Sequence, residues 1–284
     1  MSSTESVWLN GEITPFDQAH VSIEDRGFQF ADGVYEVIRL YGGKPFALDA
    51  HLQRLEKSAA GIQLAVPINS AHLKSEITKF LVRFPVPDGM IYLQVTRGTA
   101  PRNHAFPDTK PTLLFYTRPL PPLPDEPSRQ GIKLLSLPDE RWKRCWIKSI
   151  ALLPNVLAKN QALAAGADEA VFVENELVSE CSASNLFAVI AGKLVTHPVG
   201  PKVLPGITRA VLLDLAPSLG ISVDERPIKE SEASGAAELF ITSTIREIAW
   251  VSHWNDRPLA GSQCGPATKK LHAALRDHVR RQTA

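Results

Sequence analysis

Lys148 is the residue of this sequence best suited to covalent or proton-transfer chemistry. It lies in the apolar segment Trp146-Ile147-Lys148-Ser149-Ile150, and Arg141, Lys143 and Arg144 precede it. Burial and cationic neighbours both favour a neutral amine, and a neutral amine can attack a carbonyl or carry a proton. The same residues also fit an ordinary surface lysine or a small basic patch for polyanions. The local sequence therefore makes Lys148 a candidate without deciding its role.

Groups that bind anions occur at two other places. The glycine of LPGITR (residues 204–209) precedes a predicted helix start, so the amides near Ile207 and Thr208 can point at an anion. Arg54 in HLQRL carries a planar fork that suits phosphate oxygens. Thr208 can equally be a helix cap, and Arg54 can lie on a solvated helix face. By themselves these residues leave both interpretations open.

Other chemistries find little support in the sequence. Gly42-Gly43-Lys44 is too short for a phosphate-binding loop, and we predict a hairpin turn there. The eight histidines show no ligand spacing, so we predict no metal. GxSxG is absent, and no Ser-His-Asp triad is suggested. Taken alone, Glu180 resembles a loop or turn acid, and the R-x-H of Arg102 and His104 resembles a solvated loop.

The elements that would position these residues fall on either side of a proline-rich segment. RPLPPLPDEP (residues 118–127) has five prolines in ten residues, which favours a stiff linker over a ligand for a proline-binding domain. Before it, apolar spacing predicts helices at 50–64 and 70–84 and strands at 90–96 and 112–117. After it, we predict strands at 132–136, 169–173, 185–190 and 238–242 and helices at 155–165, 207–219 and 267–280. These patterns predict a small α+β domain (1–118), a linker (119–127) and a larger mixed α/β domain (128–284).

The composition is that of an ordinary globular protein. Hydrophobic residues make up 44% and charged residues 21%, and the net charge is +1. A balanced charge argues against nucleic acid or an acidic membrane as the main partner. The N-terminal segment lacks the features of a signal peptide, and no stretch has the length of a membrane helix. Three cysteines without CxxC spacing argue against a disulfide framework. We therefore expect a soluble, cytoplasmic protein.

Seven segments, in order along the chain, resemble the fold type IV family of pyridoxal-phosphate (PLP) enzymes. This family contains D-amino-acid aminotransferases, branched-chain aminotransferases and aminodeoxychorismate lyases. The segments are DRGFQFADGVYEVIR (25–39), HLQRL (51–55), TRGTAPRNHAFP (96–107), RCWIKSIALLPNVLAKNQA (144–162), ADEAVFVENELVSECSASNLF (167–187), LPGITR (204–209) and ELFITSTIREI (238–248). The resemblance spans nearly the whole chain and implies a two-domain fold with pyridoxal 5'-phosphate as cofactor.

The resemblance also implies roles for individual residues. Lys148 matches the family's Schiff-base lysine, which shuttles the proton, and Glu180 matches the acid that contacts the ring nitrogen of the cofactor. Cys181 stands where the family usually has glycine, which is a departure in local backbone chemistry. The residues that would hold the phosphate are Arg54, Ile207, Thr208, Ser243 and Thr244.

The substrate end resembles the D-amino-acid aminotransferases. Arg102 and His104 match the pair that binds the substrate α-carboxylate, and Tyr35 matches the tyrosine that completes this trap. The resemblance implies a homodimer in which Arg102 and His104 reach into the neighbouring site. Branched-chain enzymes and the lyases generally lack this arrangement.

These observations predict a PLP-dependent aminotransferase that exchanges amino groups between D-amino acids of the D-alanine type and 2-oxo acids such as 2-oxoglutarate. The alternatives within the family are a branched-chain L-amino-acid aminotransferase, an aminodeoxychorismate lyase and an enzyme for simple (R)-amines. A site that binds a substrate carboxylate argues against the last of these, because simple amines have no carboxylate. The alternative from another class is a non-catalytic PLP-binding protein, which the joint presence of Lys148, Glu180 and the phosphate residues disfavours.

Overall fold

The computed structural model describes residues 5–123, 130–261 and 263–284. They form two compact units. The first comprises Met1–Pro122, Ile147–Ala151 and Gln282–Ala284, and the second comprises Leu123–Trp146 and Leu152–Arg281. Residues 124–127 of the expected linker lie outside the described residues, so the linker and the domain boundaries of the sequence analysis stay predictions. Among the described residues, none of the helices has both the length and the hydrophobicity of a membrane span.

The first unit contains a six-stranded antiparallel sheet in the order β2–β1–β6–β5–β3–β4. Its strands are β1 (Ser6–Leu9), β2 (Glu12–Pro15), β3 (Gly33–Tyr41), β4 (Lys44–Pro45), β5 (Gly89–Thr96) and β6 (Thr112–Pro119). Its helices are α1 (Arg26–Phe30), α2 (Leu48–Gly61) and α3 (Ser70–Arg83). In α2, Leu52, Leu55 and Ala59 are buried at helical spacing, so one face of the helix packs against β3.

The second unit is built on a ten-stranded mixed sheet. Its strands are β7 (Ile132–Pro138), β8 (Glu169–Glu174), β9 (Leu177–Cys181), β10 (Asn185–Ile190), β11 (Lys193–Thr196), β12 (Val223–Glu225), β13 (Ile228–Lys229), β14 (Glu238–Ser243), β15 (Glu247–Trp254) and β16 (Arg257–Pro258). Its helices are α4 (Leu153–Ala164), α5 (Ile207–Leu215), α6 (Glu230–Ser234) and α7 (Pro266–Thr283). The order is β12–β11–β10–β14–β15–β7–β8–β9–β13, with β16 beside β15. The pairs β11–β12, β15–β7 and β7–β8 are parallel.

Most of the predicted elements are confirmed to within a few residues, with one clear error. The helix predicted at 207–219 ends at Leu215, and a 3-10 turn follows at Ala216–Leu219. Pro217 explains the difference, because its ring removes an amide donor and clashes with the carbonyl four residues earlier. The hairpin turn predicted at Gly42-Gly43 is confirmed, since both residues have positive φ (55° and 79°) between β3 and β4.

The segment Ile147–Ala151 joins the edge of β3 in the first unit. Ser149 forms an antiparallel bridge with Val34, and the amide of Ile150 donates to the carbonyl of Gly33 (3.1 Å). A Cβ at Gly33 would lie 2.6 Å from the carbonyl oxygen of Val95 and 3.0 Å from Ile150 Cδ1. Glycine at this position therefore allows Lys148 to approach β3.

Candidate active site

Lys148 lies against Tyr35, and backbone hydrogen bonds hold both residues. The amide of Tyr35 donates to the Lys148 carbonyl (3.0 Å), and the amide of Lys148 donates to Ser58 Oγ on α2 (3.1 Å). Lys148 is half-buried, and its Nζ is 4.2 Å from the centroid of the Tyr35 ring. A tyrosine face attracts a cation. The structure thus brings together two of the predicted site residues, and the surface-lysine interpretation does not fit.

Arg54 is buried, so its interpretation as part of a solvated helix face is wrong. Its Nε and Nη2 each lie 2.7 Å from the carboxylate of Glu36, the neighbour of Tyr35 on β3. His51 Nδ1 lies 2.7 Å from the same carboxylate. We call Glu36, His51 and Arg54 the Glu36 cluster. The cluster fixes the position of the Arg54 guanidinium. Arg54 lies on α2, and the same helix carries Ser58, which accepts the hydrogen bond from the Lys148 amide.

Charge in the Glu36 cluster follows from its hydrogen bonds. Burial raises the pKa of Glu36, but the charge and hydrogen bonds of Arg54 and His51 outweigh burial and lower it to about 2. Burial is also the main reason that the pKa of His51 falls below its usual value. At neutral pH Glu36 is therefore ionised and His51 is neutral. Because an ionised carboxylate only accepts hydrogen bonds, His51 must carry its proton on Nδ1.

Glu36→Gln is expected to destabilise the cofactor-free protein by about 3 kcal/mol at neutral pH, because Arg54 keeps its buried charge and loses the opposite charge. The pKa of Glu36 in the folded protein, about 2, lies below the usual 4.5. Its contribution to the free energy of unfolding is therefore fully present above pH about 5 and is lost as the pH falls toward 2. Urea unfolding of parent and variant between pH 7 and pH 3 measures this difference.

The matched control is Asp49→Asn on the same helix. Asp49 pairs with Lys74 on the exposed surface, so its loss is expected to cost less than about 1 kcal/mol. A gap between parent and Glu36→Gln that is equal at pH 7 and pH 3 would contradict the assigned charge of the cluster.

Arg102 and His104 lie on the exposed loop that follows β5. Both contact Phe30 at the end of α1. The guanidinium carbon of Arg102 is 4.3 Å from the ring centroid of Phe30, and the ring centroids of His104 and Phe30 are 5.5 Å apart. Within the described chain, neither side chain forms a hydrogen bond, ion pair or ring contact with Tyr35 or Lys148. The structure brings Arg102 and His104 together and leaves both accessible.

In the second unit, Glu180 is a buried strand residue, so its interpretation as a loop acid is wrong. Glu180 Oε1 accepts from Arg141 Nη1 at 2.5 Å. Its Oε2 accepts from Asn185 Nδ2 and from the amide of Leu204, each at 3.0 Å. Burial raises the pKa of Glu180 to about 7, against the lowering influence of Arg141. The carboxyl is thus held in place by three donors and changes protonation near neutral pH.

Cys181, which replaces the usual glycine, follows Glu180 at the end of β9. It is buried, its amide donates to the carbonyl of Ser184 (2.8 Å), and its φ is not positive. The backbone here therefore has no conformational need for glycine.

Arg141, expected only as a cationic neighbour of Lys148 or part of a basic patch, is instead the partner of Glu180. Its side chain is only 5% exposed, so the basic-patch interpretation is wrong for this residue. Its Nε and Nη2 lie 2.9 and 2.8 Å from the Asp139 carboxylate, while Nη1 reaches Glu180. The short spacing between Asp139 and Arg141 signals a local ion pair. Only the folded sheet shows that the pair also holds Glu180.

The expected phosphate-binding residues of this unit lie at a helix start and at a turn. Gly206 is the N-cap of α5, so the alternative that Thr208 is the cap is wrong. A Cβ at Gly206 would lie 1.9 Å from Asn185 Oδ1, which requires glycine at the helix start. Ser243 ends β14 and Thr244 lies in the turn that follows, not within the strand.

The chain is similar in sequence to a known family and to several of its members. The sequence profile of the amino-transferase class IV family matches residues 33–254. The chain is 39% identical to the D-alanine aminotransferase of Bacillus licheniformis over 279 residues, which is 98% of each chain. It is 42% identical to the D-alanine aminotransferase of Listeria monocytogenes serotype 4b over 269 residues, 94% of this chain and 93% of the relative.

Solved structures of the same family share the fold. The branched-chain amino acid aminotransferase of Escherichia coli superposes with a TM-score of 0.91 at 26% identity and covers 99% of this chain and 96% of its own. The branched-chain aminotransferase of Thermoproteus uzoniensis with norvaline gives a TM-score of 0.87 at 26% identity, covering 96% and 94%. The predicted two-domain fold type IV architecture is confirmed. A match of this extent, in sequence and in fold, means that the chain belongs to the class IV aminotransferases.

Proposed function

We propose that this chain is a PLP-dependent transaminase of D-amino acids of the D-alanine type, with a 2-oxo acid such as 2-oxoglutarate as the second substrate. The observation that carries the proposal is the identity of 39% with a D-alanine aminotransferase over 98% of both chains. The solved branched-chain enzymes share the fold at 26% identity. The shared fold alone leaves the substrate open, so the closer sequence similarity favours the D-amino-acid activity.

The residues present fit pyridoxal phosphate. Ser182 Oγ and Thr242 Oγ1 are buried and have no hydrogen-bond partner among the described residues. Buried hydroxyls without hydrogen-bond partners are rare, so a bound ligand that provides the missing partners is a natural explanation. The second unit also offers Glu180, an acid suited to a protonated ring nitrogen. The groups that would bind the phosphate are the amides of Ile207 and Thr208, the hydroxyls of Thr208, Ser243 and Thr244, and the guanidinium of Arg54.

Lys148 and Glu180 would carry the chemistry. Bound pyridoxal phosphate supplies an electron sink for the carbon that loses its proton. Lys148 would hold the cofactor, and its amine would move the proton as base and then as acid. Glu180 keeps the ring nitrogen protonated, and Arg141 and Asn185 fix the position of its carboxyl. Each of these tasks uses a residue that the fold holds by at least one hydrogen bond.

Tyr35, Arg102 and His104 would bind the substrate carboxylate. Arg102→Ala is expected to raise KM for D-alanine and for 2-oxoglutarate about 10- to 100-fold, because a charge-assisted hydrogen bond to each carboxylate is lost. Steady-state kinetics with each substrate varied in turn measures this change. An unchanged KM for both substrates would remove Arg102 from the proposed carboxylate site.

We also propose a homodimer in which this loop completes the neighbouring site. Three exposed large apolar side chains support the proposal: Ile23 just before α1, Phe28 on α1 and Phe106 in the loop itself are 80%, 78% and 57% exposed. Because α1 and the loop contact each other through Arg26 and Phe30, these side chains lie on adjacent elements, and exposed apolar side chains there favour an interface. We also propose the cytoplasmic location that is expected from the sequence.

Hybrid dimers test the shared site. Lys148→Ala and Arg102→Ala chains, each impaired alone, are unfolded together, refolded and assayed at low substrate concentration. In a hybrid, one of the two sites combines an intact Lys148 with an intact Arg102 from the partner chain. Random pairing therefore restores about a quarter of the parent activity. If the loop serves its own chain, mixing restores nothing beyond the sum of the two variants.

The substrate assignment is tested by one assay. Purified holoenzyme is incubated with D-alanine and 2-oxoglutarate, and pyruvate and the configuration of the glutamate formed are measured. We expect pyruvate and D-glutamate. Turnover of L-leucine without turnover of D-alanine would favour the branched-chain activity and overturn the substrate assignment, whereas a protein that cannot be loaded with pyridoxal phosphate would overturn the whole proposal.

A further inference from the structure

The backbone of the Arg102–His104 loop is held by a buried arginine on α1. Arg26 Nη1 lies 2.5 Å from the carbonyl oxygen of Asn103 and 3.4 Å from that of Ala105. These two carbonyls flank His104, and the first also follows Arg102. The residues between 100 and 110 form no helix or strand. The Arg26 side chain therefore supplies the loop with hydrogen bonds that regular structure does not.

Arg26 is itself fixed by a buried ion-pair group. Its side chain is 4% exposed, and Nε donates to Asp32 Oδ2 at 2.9 Å. The Asp32 carboxylate also receives Nε and Nη2 of Arg97 at 2.7 and 2.9 Å. Arg97 in turn donates to the carbonyls of Ile62 and Gln63, just after α2. We call Arg26, Asp32 and Arg97 the Arg26 cluster, and it links the loop to two rigid parts of the unit.

The Phe30 ring gives the loop side chains a surface to lie on. The guanidinium carbons of Arg26 and Arg102 are 4.8 and 4.3 Å from its centroid, and His104 also contacts it. Arginine favours such stacking on an aromatic face. Backbone bonds from Arg26 and ring contacts from Phe30 thus act on the same two side chains.

We propose that Arg26 and Phe30 are positioning residues that hold Arg102 and His104 ready for the carboxylates of both substrates. The inference rests on the proposed function, in which Arg102 and His104 bind those carboxylates. A loop that is ordered before binding loses less conformational freedom when the ligand binds, so the order of the loop lowers KM. The order of the loop has a smaller influence on kcat, because Arg26 and Phe30 act on groups that bind the carboxylate and not on groups that transfer the proton.

Arg26→Lys tests the proposal in the holoenzyme. Lysine keeps the charge opposite Asp32 but lacks the fork that reaches both Asp32 and the loop carbonyls. We expect KM for D-alanine and for 2-oxoglutarate to rise about 5- to 50-fold, with kcat changed less than about threefold. Phe30→Leu, at a half-buried position, is expected to raise both KM values about 3- to 10-fold. Phe30→Leu decides the matter if Arg26→Lys does not fold.

A double-mutant cycle separates positioning from a general loss of structure. In the Arg102→Ala/His104→Ala background, Arg26→Lys is expected to change KM by less than about twofold, because the groups it positions are absent. The control is Arg39→Lys, which alters an arginine of similar burial on β3 whose Nη2 donates to Pro121. This control is expected to lower Tm without changing KM.

The outcomes distinguish the two proposals. An unchanged KM in Arg102→Ala/His104→Ala overturns the carboxylate role and, with it, this inference. A raised KM in that variant together with an unchanged KM in Arg26→Lys, or in Phe30→Leu where Arg26→Lys is unfolded, overturns the positioning role alone. The same rise from Arg26→Lys in both backgrounds also overturns it, since the effect then does not pass through Arg102 and His104.

Discussion

Lys148→Ala is expected to lower kcat for transamination by about 10⁴-fold or more while the chain remains folded, because one side chain both holds the cofactor and moves the proton. The Lys148 side chain is half-buried and contacts the Tyr35 ring, whereas its backbone amide and carbonyl make the hydrogen bonds to Ser58 and Tyr35. Alanine keeps those backbone bonds. The loss should therefore appear in activity far more than in stability.

Three measurements check the Lys148 prediction. Single-turnover kinetics with D-alanine gives the rate, borohydride treatment followed by peptide mass analysis shows whether the cofactor is covalently attached, and thermal unfolding gives Tm. The control is Lys57→Ala, an exposed lysine on α2 beside Ser58, which is expected to retain parent activity and attachment. Cofactor fixed to another lysine in the parent, or a rate in Lys148→Ala within tenfold of the parent, would show that Lys148 does not have this role.

Glu180→Gln is expected to lower kcat about 10²- to 10³-fold, the scale of losing one fixed electrostatic group in an active site. Glutamine has the same shape and can still accept from Arg141, but it cannot balance a protonated ring nitrogen. Arg141 also keeps its two bonds to Asp139. At the second oxygen position glutamine presents an NH2 group, so the bonds accepted from Asn185 Nδ2 and from the amide of Leu204 are lost together with the charge opposite the cofactor.

The effect of Glu180→Gln on the free energy of unfolding should depend on pH in the opposite direction to that of Glu36→Gln. The pKa of Glu180 is about 7 in the folded protein, above the usual 4.5, because burial disfavours its charge. Its favourable contribution is then present below pH about 4.5 and is lost as the pH rises through about 7. The loss of stability caused by Glu180→Gln in the cofactor-free protein should consequently be smaller at pH 8 than at pH 5. Tm at pH 5 and pH 8 measures this, beside kcat of the holoenzyme.

The matched control for Glu180 is Glu169→Gln. Glu169 is equally buried, and its Oε1 accepts from the amide of Ala183 and from Ser184 Oγ. The same substitution there is expected to lower kcat less than about tenfold, since glutamine retains both hydrogen bonds and each neutral bond contributes about 1 kcal/mol. Equal losses of kcat in the two variants would mean that Glu180 acts only by supporting the fold.

Local sequence patterns predicted the elements well where one pattern governs one segment. Apolar residues at helical spacing placed α2 and α3, and β-prone runs placed β5, β8, β10 and β14. The long strands β3 and β15 were not predicted. Short elements such as α1 and the two-residue strands β4, β13 and β16 were not predicted either. Five residues or fewer carry too little periodicity, and such elements form because their neighbours are already in place.

The sequence by itself determined which residue types are available and, through the seven family segments, the family and the position of Lys148. The tertiary structure decided how those residues are supported. It buried Arg54 against Glu36, held Glu180 with Arg141 and placed Arg26 under the Arg102–His104 loop. These partners are separated by 18, 39 and 77 positions in the chain. Local pattern cannot predict such pairs, because burial and charge compensation are fixed only when distant strands and helices pack together. For Lys148, its type and context indicated the chemistry, and the edge of β3 decided where its amine lies.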